Sequence, residues 1–108
     1  MKLIDLIEYL VKPEKIENLY QERKLNTESE ALLIYMQNEL SLESNIAFFE
    51  IEETEDYLQF VKNGLKYVQL FPIDYAIELI ESDLGLKNKG YTNLEIAKRL
   101  LEYRLKDS

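Results

Sequence analysis

Apolar positions near the start of the chain recur at helical spacing. Leu3, Ile4, Leu6, Ile7, Leu10 and Val11 form one stripe, and Ile16, Leu19 and Tyr20 continue it beyond Pro13. Proline suits the first position of a helix, so the pattern predicts two short helices over 3–12 and 14–24, or one helix kinked at Pro13. Thr27 followed three residues later by Glu30 is a capping-box signature, and the run Ala31 to Met36 with Leu40 behind it predicts a third helix. Thr92 with Glu95 repeats the signature before a last helix. There Leu94, Ala97, Leu101 and Leu105 form the main apolar face, with Ile96, Leu100 and Tyr103 on the opposite side.

The middle of the chain decides the fold class. Tyr57, Leu58, Val61, Leu65 and Val68 fit helical spacing, and a helix there would make the protein an all-α bundle. The same stretch holds Asn63-Gly64 between two aromatic and β-branched runs, which is the strongest short-range hairpin signal, because a type I′ turn needs positive φ at both central residues. In that register Val61 faces Lys66, Phe60 faces Tyr67 and Leu58 faces Gln69. Ile46 to Glu52 alternates and predicts a further strand, with Glu53 to Asp56 as the turn that follows. Pro72 ends the sheet, Ile73 to about Asp83 reads as a helix, and Lys87 to Gly90 as a loop. The preferred reading is one α+β domain over residues 1–108, with helices packed on one face of a short three-stranded antiparallel meander.

Charge changes the picture more than composition does. Between Leu25 and Val61 stand nine carboxylates and not one Lys or Arg, in a chain whose net charge is −8. A one-sided field of this kind selects cationic partners and disfavours nucleic acid and anionic membrane surfaces. With no Cys and no His, thiolate chemistry, the commonest metal ligand and the commonest general base are all missing. No enzymatic activity, metal or cofactor is expected from these residue types. No apolar run approaches the length of a membrane-spanning helix, and the plain expectation is a cytoplasmic bacterial protein.

The densest cluster is Glu50, Glu52, Glu53, Glu55 and Asp56, five carboxylates in seven positions, with Tyr57 directly after them. A solvated turn explains such a cluster, and so does a contact surface for Lys and Arg. Calcium ligation lacks the EF-hand spacing and its central glycine, and an acid and base pair of the glycosidase kind lacks a cleft. Glu43, Glu50, Glu52, Glu53, Glu55, Asp56 and Tyr57 are the candidate partner-binding residues. A tyrosine ringed by carboxylates suits a surface that binds basic proteins, since Tyr is enriched at interfaces. Gly90 to Leu100 superficially resembles the first helix of a helix-turn-helix reader. The residues that follow leave no length for a recognition helix, and Glu95 and Glu102 neutralise the basic residues along the same surface, so DNA reading is not expected.

In size, charge and missing chemistry the chain is similar to the immunity proteins that bacteria make against nuclease toxins. That resemblance assigns no residues. It implies an acidic inhibitor that neutralises a basic toxin by occupying its cationic groove. The alternatives are a DNA-mimicking inhibitor of a DNA-binding protein and a structural or regulatory homodimer that pairs through apolar strand edges.

Overall fold

The computed structural model describes residues 1–83, 85–86 and 90–106. Two helices open the chain, α1 (Leu3–Leu10) and α2 (Pro13–Glu22). They are separate elements, since Lys12 is extended and Pro13 starts α2 at the position where its missing N–H costs nothing. Four strands follow: β1 (Leu32–Gln37), β2 (Ile46–Glu50), β3 (Gln59–Lys62) and β4 (Leu65–Pro72). A single helical turn, α3 (Ile51–Thr54), stands between β2 and β3. After β4 come α4 (Ile73–Glu78), which runs on as a π-helical turn over Leu79–Asp83, and α5 (Asn93–Lys106). The protein is an α+β domain, and the all-α alternative is excluded.

The hairpin forms in the expected register. Asn63 and Gly64 both take positive φ, at 53° and 79°. Val61 pairs with Lys66 and Phe60 with Tyr67, and the Gln69 N–H donates to the Leu58 carbonyl at 2.9 Å. The meander does not form. The sheet is antiparallel with strand order β2-β1-β4-β3, so the expected pairing of β3 with β4 forms, while β1 and β4 lie between β2 and β3, which were expected to be neighbours.

The segment read as a third helix is β1. Leu33, Ile34, Tyr35 and Met36 are all fully buried, because both faces of this central strand are covered. A strand covered on both sides reads as a continuous apolar run, and the period of two that would identify it disappears. The Thr27 and Glu30 pair is accordingly no capping box, since the Glu30 N–H donates to Glu52 at 3.0 Å. Thr92 and Glu95 do form one: the Thr92 Oγ1 accepts from the Glu95 N–H and the Glu95 carboxylate from the Thr92 N–H, both at 3.1 Å. The β2 strand stops at Glu50 rather than Glu52, as the chain turns into α3. In α5 the buried residues are Ile96, Ala97 and Leu100, whereas Leu94 and Leu105 of the expected main face are exposed. The loop expected at Lys87 to Gly90 lies, apart from Gly90, outside the described residues.

One face of the sheet carries the helices. Ile34, Met36, Ile46, Leu70 and Phe71 pack against Leu3, Leu6, Ile7 and Leu10 of α1, Leu19 of α2, Ile73 and Ala76 of α4, and Ile96, Ala97 and Leu100 of α5. A bulge helps to build this layer. Tyr35 lies opposite Gln69 and Ile34 opposite Phe71, so Leu70 is the extra residue, and both Leu70 and Phe71 enter the core. Each fully buried Leu or Ile contributes about 1.5–3 kcal/mol by burial.

Candidate functional site

The strand order dictates where the acidic segment must run. β2 and β3 sit at opposite edges of the sheet, so residues 51–58, which join them, have to cross β1 and β4. They cross on the face away from the helices. Ile34 and Met36 point into the helical core, and Tyr35 therefore points the other way. Its hydroxyl donates to the Tyr57 carbonyl at 2.6 Å, and the buried Gln69 amide donates to the Asp56 carboxylate at 2.8 Å. Two side chains of the central strands thus hold the crossing down.

Beneath the crossing lies a layer of aromatic rings. Phe49 of β2 meets Phe60 of β3 at 5.2 Å between ring centres and Tyr67 of β4 at 5.1 Å, with Tyr35 at 5.4 Å. In a flat sheet the two edge strands would be roughly 14 Å apart, at about 4.8 Å per strand interval. The sheet is therefore curled towards this side, and the rings fill its concave face.

The expected site residues divide into several environments. Glu52 accepts hydrogen bonds from the Ser29 hydroxyl and the Glu30 N–H, which hold its carboxyl below the usual carboxylate range, the hydroxyl being the larger cause. Glu53 forms an ion pair with Lys62 at 2.6 Å, and the same ammonium stands 5.3 Å from the centre of the Phe49 ring. Glu50 accepts from the Asn26 side chain at 3.3 Å. Asp56 is the carboxylate bound by Gln69, and its own N–H donates to the buried Thr54 hydroxyl at 3.3 Å. Glu55 is exposed, and among the described residues its carboxylate has no hydrogen-bond or ion-pair partner. Tyr57 is 60% exposed.

Five of the seven expected residues therefore share one crossing, Glu50 is the last residue of the strand that leads into it, and Glu43 lies elsewhere. It lies in the connection between β1 and β2, at the opposite end of β2 from Glu50 and roughly 14 Å of strand away. Its backbone carbonyl accepts from the Lys2 ammonium at 2.9 Å. Sequence reasoning missed three residues that organise the site, Tyr35, Gln69 and Ser29, whereas Lys62, which pairs with Glu53, is a lysine whose place near the acidic turn makes it an evident intramolecular partner. Tyr35 was hidden inside a run read as helix. Gln69, a polar residue between Val68 and Leu70 in a strand-like run, was the one available signal.

Glu55 and Asp56 both adopt left-handed backbone conformations, with φ of 55° and 62°. Consecutive positive φ turns the chain sharply after α3 and returns it towards β3. The geometry leaves the backbone tied inward to the sheet and sends the Glu55 carboxylate outward. Such an arrangement can accept hydrogen bonds from Lys or Arg without first ordering a loop.

A second concavity, of about 590 Å³, lies along α1 and α2 and reaches Asn93. Its charges satisfy one another. Glu8 accepts from Lys15 and Lys12 at 2.9 Å and from Asn93 at 3.1 Å, and these bonds, with Lys15 first, hold its carboxyl down to about 2. Tyr9 donates to Glu22 at 2.9 Å. Among the described residues no group of carboxylates is arranged to hold a metal ion, and no helix is long and apolar enough to cross a membrane. Comparison with protein-family models, with curated proteins and with solved structures gave no match.

Proposed function

We propose that this chain is a protein-binding inhibitor that occupies a basic surface of another protein, in the manner of an immunity protein against a nuclease toxin. One observation carries the reading. The densest carboxylate cluster of a chain with net charge −8 lies on a crossing fixed to the sheet by Tyr35 and Gln69, with Glu55 and Tyr57 turned to solvent. A rigid acidic surface beside an exposed aromatic suits a cationic groove, because little ordering is needed on binding and opposite potentials speed encounter by roughly 10 to 10³. The internal bonds of Glu50, Glu52, Glu53 and Asp56 support the role of the crossing as a platform. On this reading Glu55 and Tyr57 make the outward contacts.

The test uses the purified chain as bait in its native host and assays the basic protein that it captures. The expected result is a stoichiometric complex that abolishes the partner's nuclease activity and forms more slowly as salt rises. A partner that stays fully active in excess inhibitor contradicts the proposal. So does a complex whose association rate is indifferent to salt.

A further inference from the structure

The acidic crossing meets β4 at Gln69. Leu58 and Gln69 stand opposite one another at the end of the β3 ladder, in the phase where a pair exchanges two backbone bonds. One of the two forms, from the Gln69 N–H to the Leu58 carbonyl at 2.9 Å. The return bond does not: the chain joins the ladder only from Gln59 onward, and among the described residues the Leu58 N–H meets no backbone carbonyl. The Gln69 carbonyl is taken instead by a side chain from the helix layer, the Arg104 Nε–H of α5, at 3.2 Å. Tyr103, the residue before it, packs on Phe71 at 6.2 Å between ring centres and meets the Tyr75 hydroxyl at 3.2 Å, so the last turn of α5 is seated against the end of β4. On the concave side the buried Gln69 amide donates to Asp56 at 2.8 Å and stands 3.5 Å from the Tyr35 hydroxyl, which holds the Tyr57 carbonyl.

We infer that Arg104 is a positioning residue for the acidic surface. By holding the Gln69 carbonyl in place of the missing ladder bond, it fixes the amide that orients Asp56, and through Asp56 the outward aim of Glu55 and Tyr57. Arginine suits this task, because its Nε–H lies in a rigid plane and a charged donor makes a shorter, stronger bond than a neutral one. Among the described residues Arg104 makes no hydrogen bond or ion pair with the crossing itself, so its influence passes through Gln69. Without the guanidinium a half-buried carbonyl loses its donor at the point where β3 has already left the ladder. The end of β4 then gives, and the crossing opens locally while the helical core stays closed. As a contribution to binding, this role rests on the inhibitory reading above. The positioning itself is a property of the free chain and is tested there, so either can fail without the other.

Amide hydrogen exchange of the free chain, read residue by residue, tests it. Arg104→Met keeps the apolar stem and removes the donor. The Asp56 N–H is bonded to the Thr54 hydroxyl and the Tyr57 N–H to the Thr54 carbonyl, so both report on opening of the crossing. Their exchange is expected to quicken roughly tenfold in this variant, with the amides of α1 unchanged. Gln69→Met removes the side-chain amide and leaves the carbonyl, and it is expected to quicken the same two amides. Adding Arg104→Met to Gln69→Met should then change them by less than about twofold, since both substitutions break one chain of contacts. Native exchange at Asp56 and Tyr57 in Arg104→Met overturns the inference. So does a rise shared equally by α1, or a full tenfold effect that persists in the Gln69→Met background. With the captured basic protein, Arg104→Met is expected to associate more slowly, although it makes a chain of net charge −8 more acidic and steering alone would speed encounter. Unchanged or faster association overturns the role in binding.

Discussion

The two faces of the sheet are held by different physics. On the helix side Ile34, Met36, Leu70 and Phe71 meet aliphatic residues of α1, α2, α4 and α5, and stability comes from non-directional burial. On the concave side four aromatic rings lie beneath a crossing fixed by directional bonds from Tyr35 and Gln69. Burial keeps the helices in place without specifying any single contact. Directional bonds fix one short segment in one orientation, and that suits the side of the molecule that presents an acidic surface. Carboxylates crowded between positions 50 and 56 repel one another, so a crossing held only by apolar area would tend to drift. Tying its backbone and Asp56 to the central strands prevents that.

The largest test of this contrast removes volume on the helix side. Ile34→Ala is expected to destabilise the protein by about 2–5 kcal/mol, read as a lower urea midpoint with an unchanged slope. Because its effect is global, amides on both faces should lose exchange protection together. Tyr35→Phe makes the smaller, local change. It strips a hydroxyl from a buried ring and leaves the Tyr57 carbonyl without its donor, at a cost of about 1–3 kcal/mol. Exchange at Asp56 and Tyr57 should rise well before that of β1, whereas a uniform rise would show that the crossing is held by burial after all.

Acid tests the crossing through Glu52. Its folded carboxyl is held below the ordinary value, so its contribution is present above the unfolded value of 4.5 and is lost as pH falls through the folded one. Glu8 behaves likewise, over a window from 4.5 to about 2. Thermal melts from pH 6 down to pH 2 should therefore show stability falling through the lower part of that range. Glu52→Gln should flatten part of that fall, and an acid limb identical to the native one would show that the bonds to Ser29 and Glu30 add nothing. The smallest expected effect on stability is that of Glu55→Gln, within about 0.5 kcal/mol, because this carboxylate is exposed and has no partner among the described residues.

The hairpin was legible in the sequence because two residues, Asn63 and Gly64, force its geometry whatever surrounds them. So was the start of α5, where Thr92 and Glu95 cap each other. β1 was not legible, since burial on both faces erased its alternation and left a run that fits a helix equally well. Misreading β1 also hid the strand order, because without a strand at 32–37 the remaining three join most simply as a meander. The acidic segment was legible as a cluster and as a turn. That it spans the sheet follows from β2 and β3 lying at opposite edges, which no local pattern encodes. The partners of Glu52, Glu53 and Asp56 are 22, 9 and 13 residues distant, beyond the reach of helical spacing, and none of them is a ladder partner in a hairpin.

The central claim is that the crossing is a platform fixed from below and used from above. The most direct measurement is the association rate of Glu55→Gln, Tyr57→Ala with the basic protein that the native chain captures from its host, taken over a range of salt and beside a thermal melt of the same variant. The account predicts a melting temperature close to native together with slower association and a shallower salt dependence, since the outward contacts are lost and the bonds to Tyr35 and Gln69 remain. Native association kinetics in this variant, at every salt concentration, would contradict it.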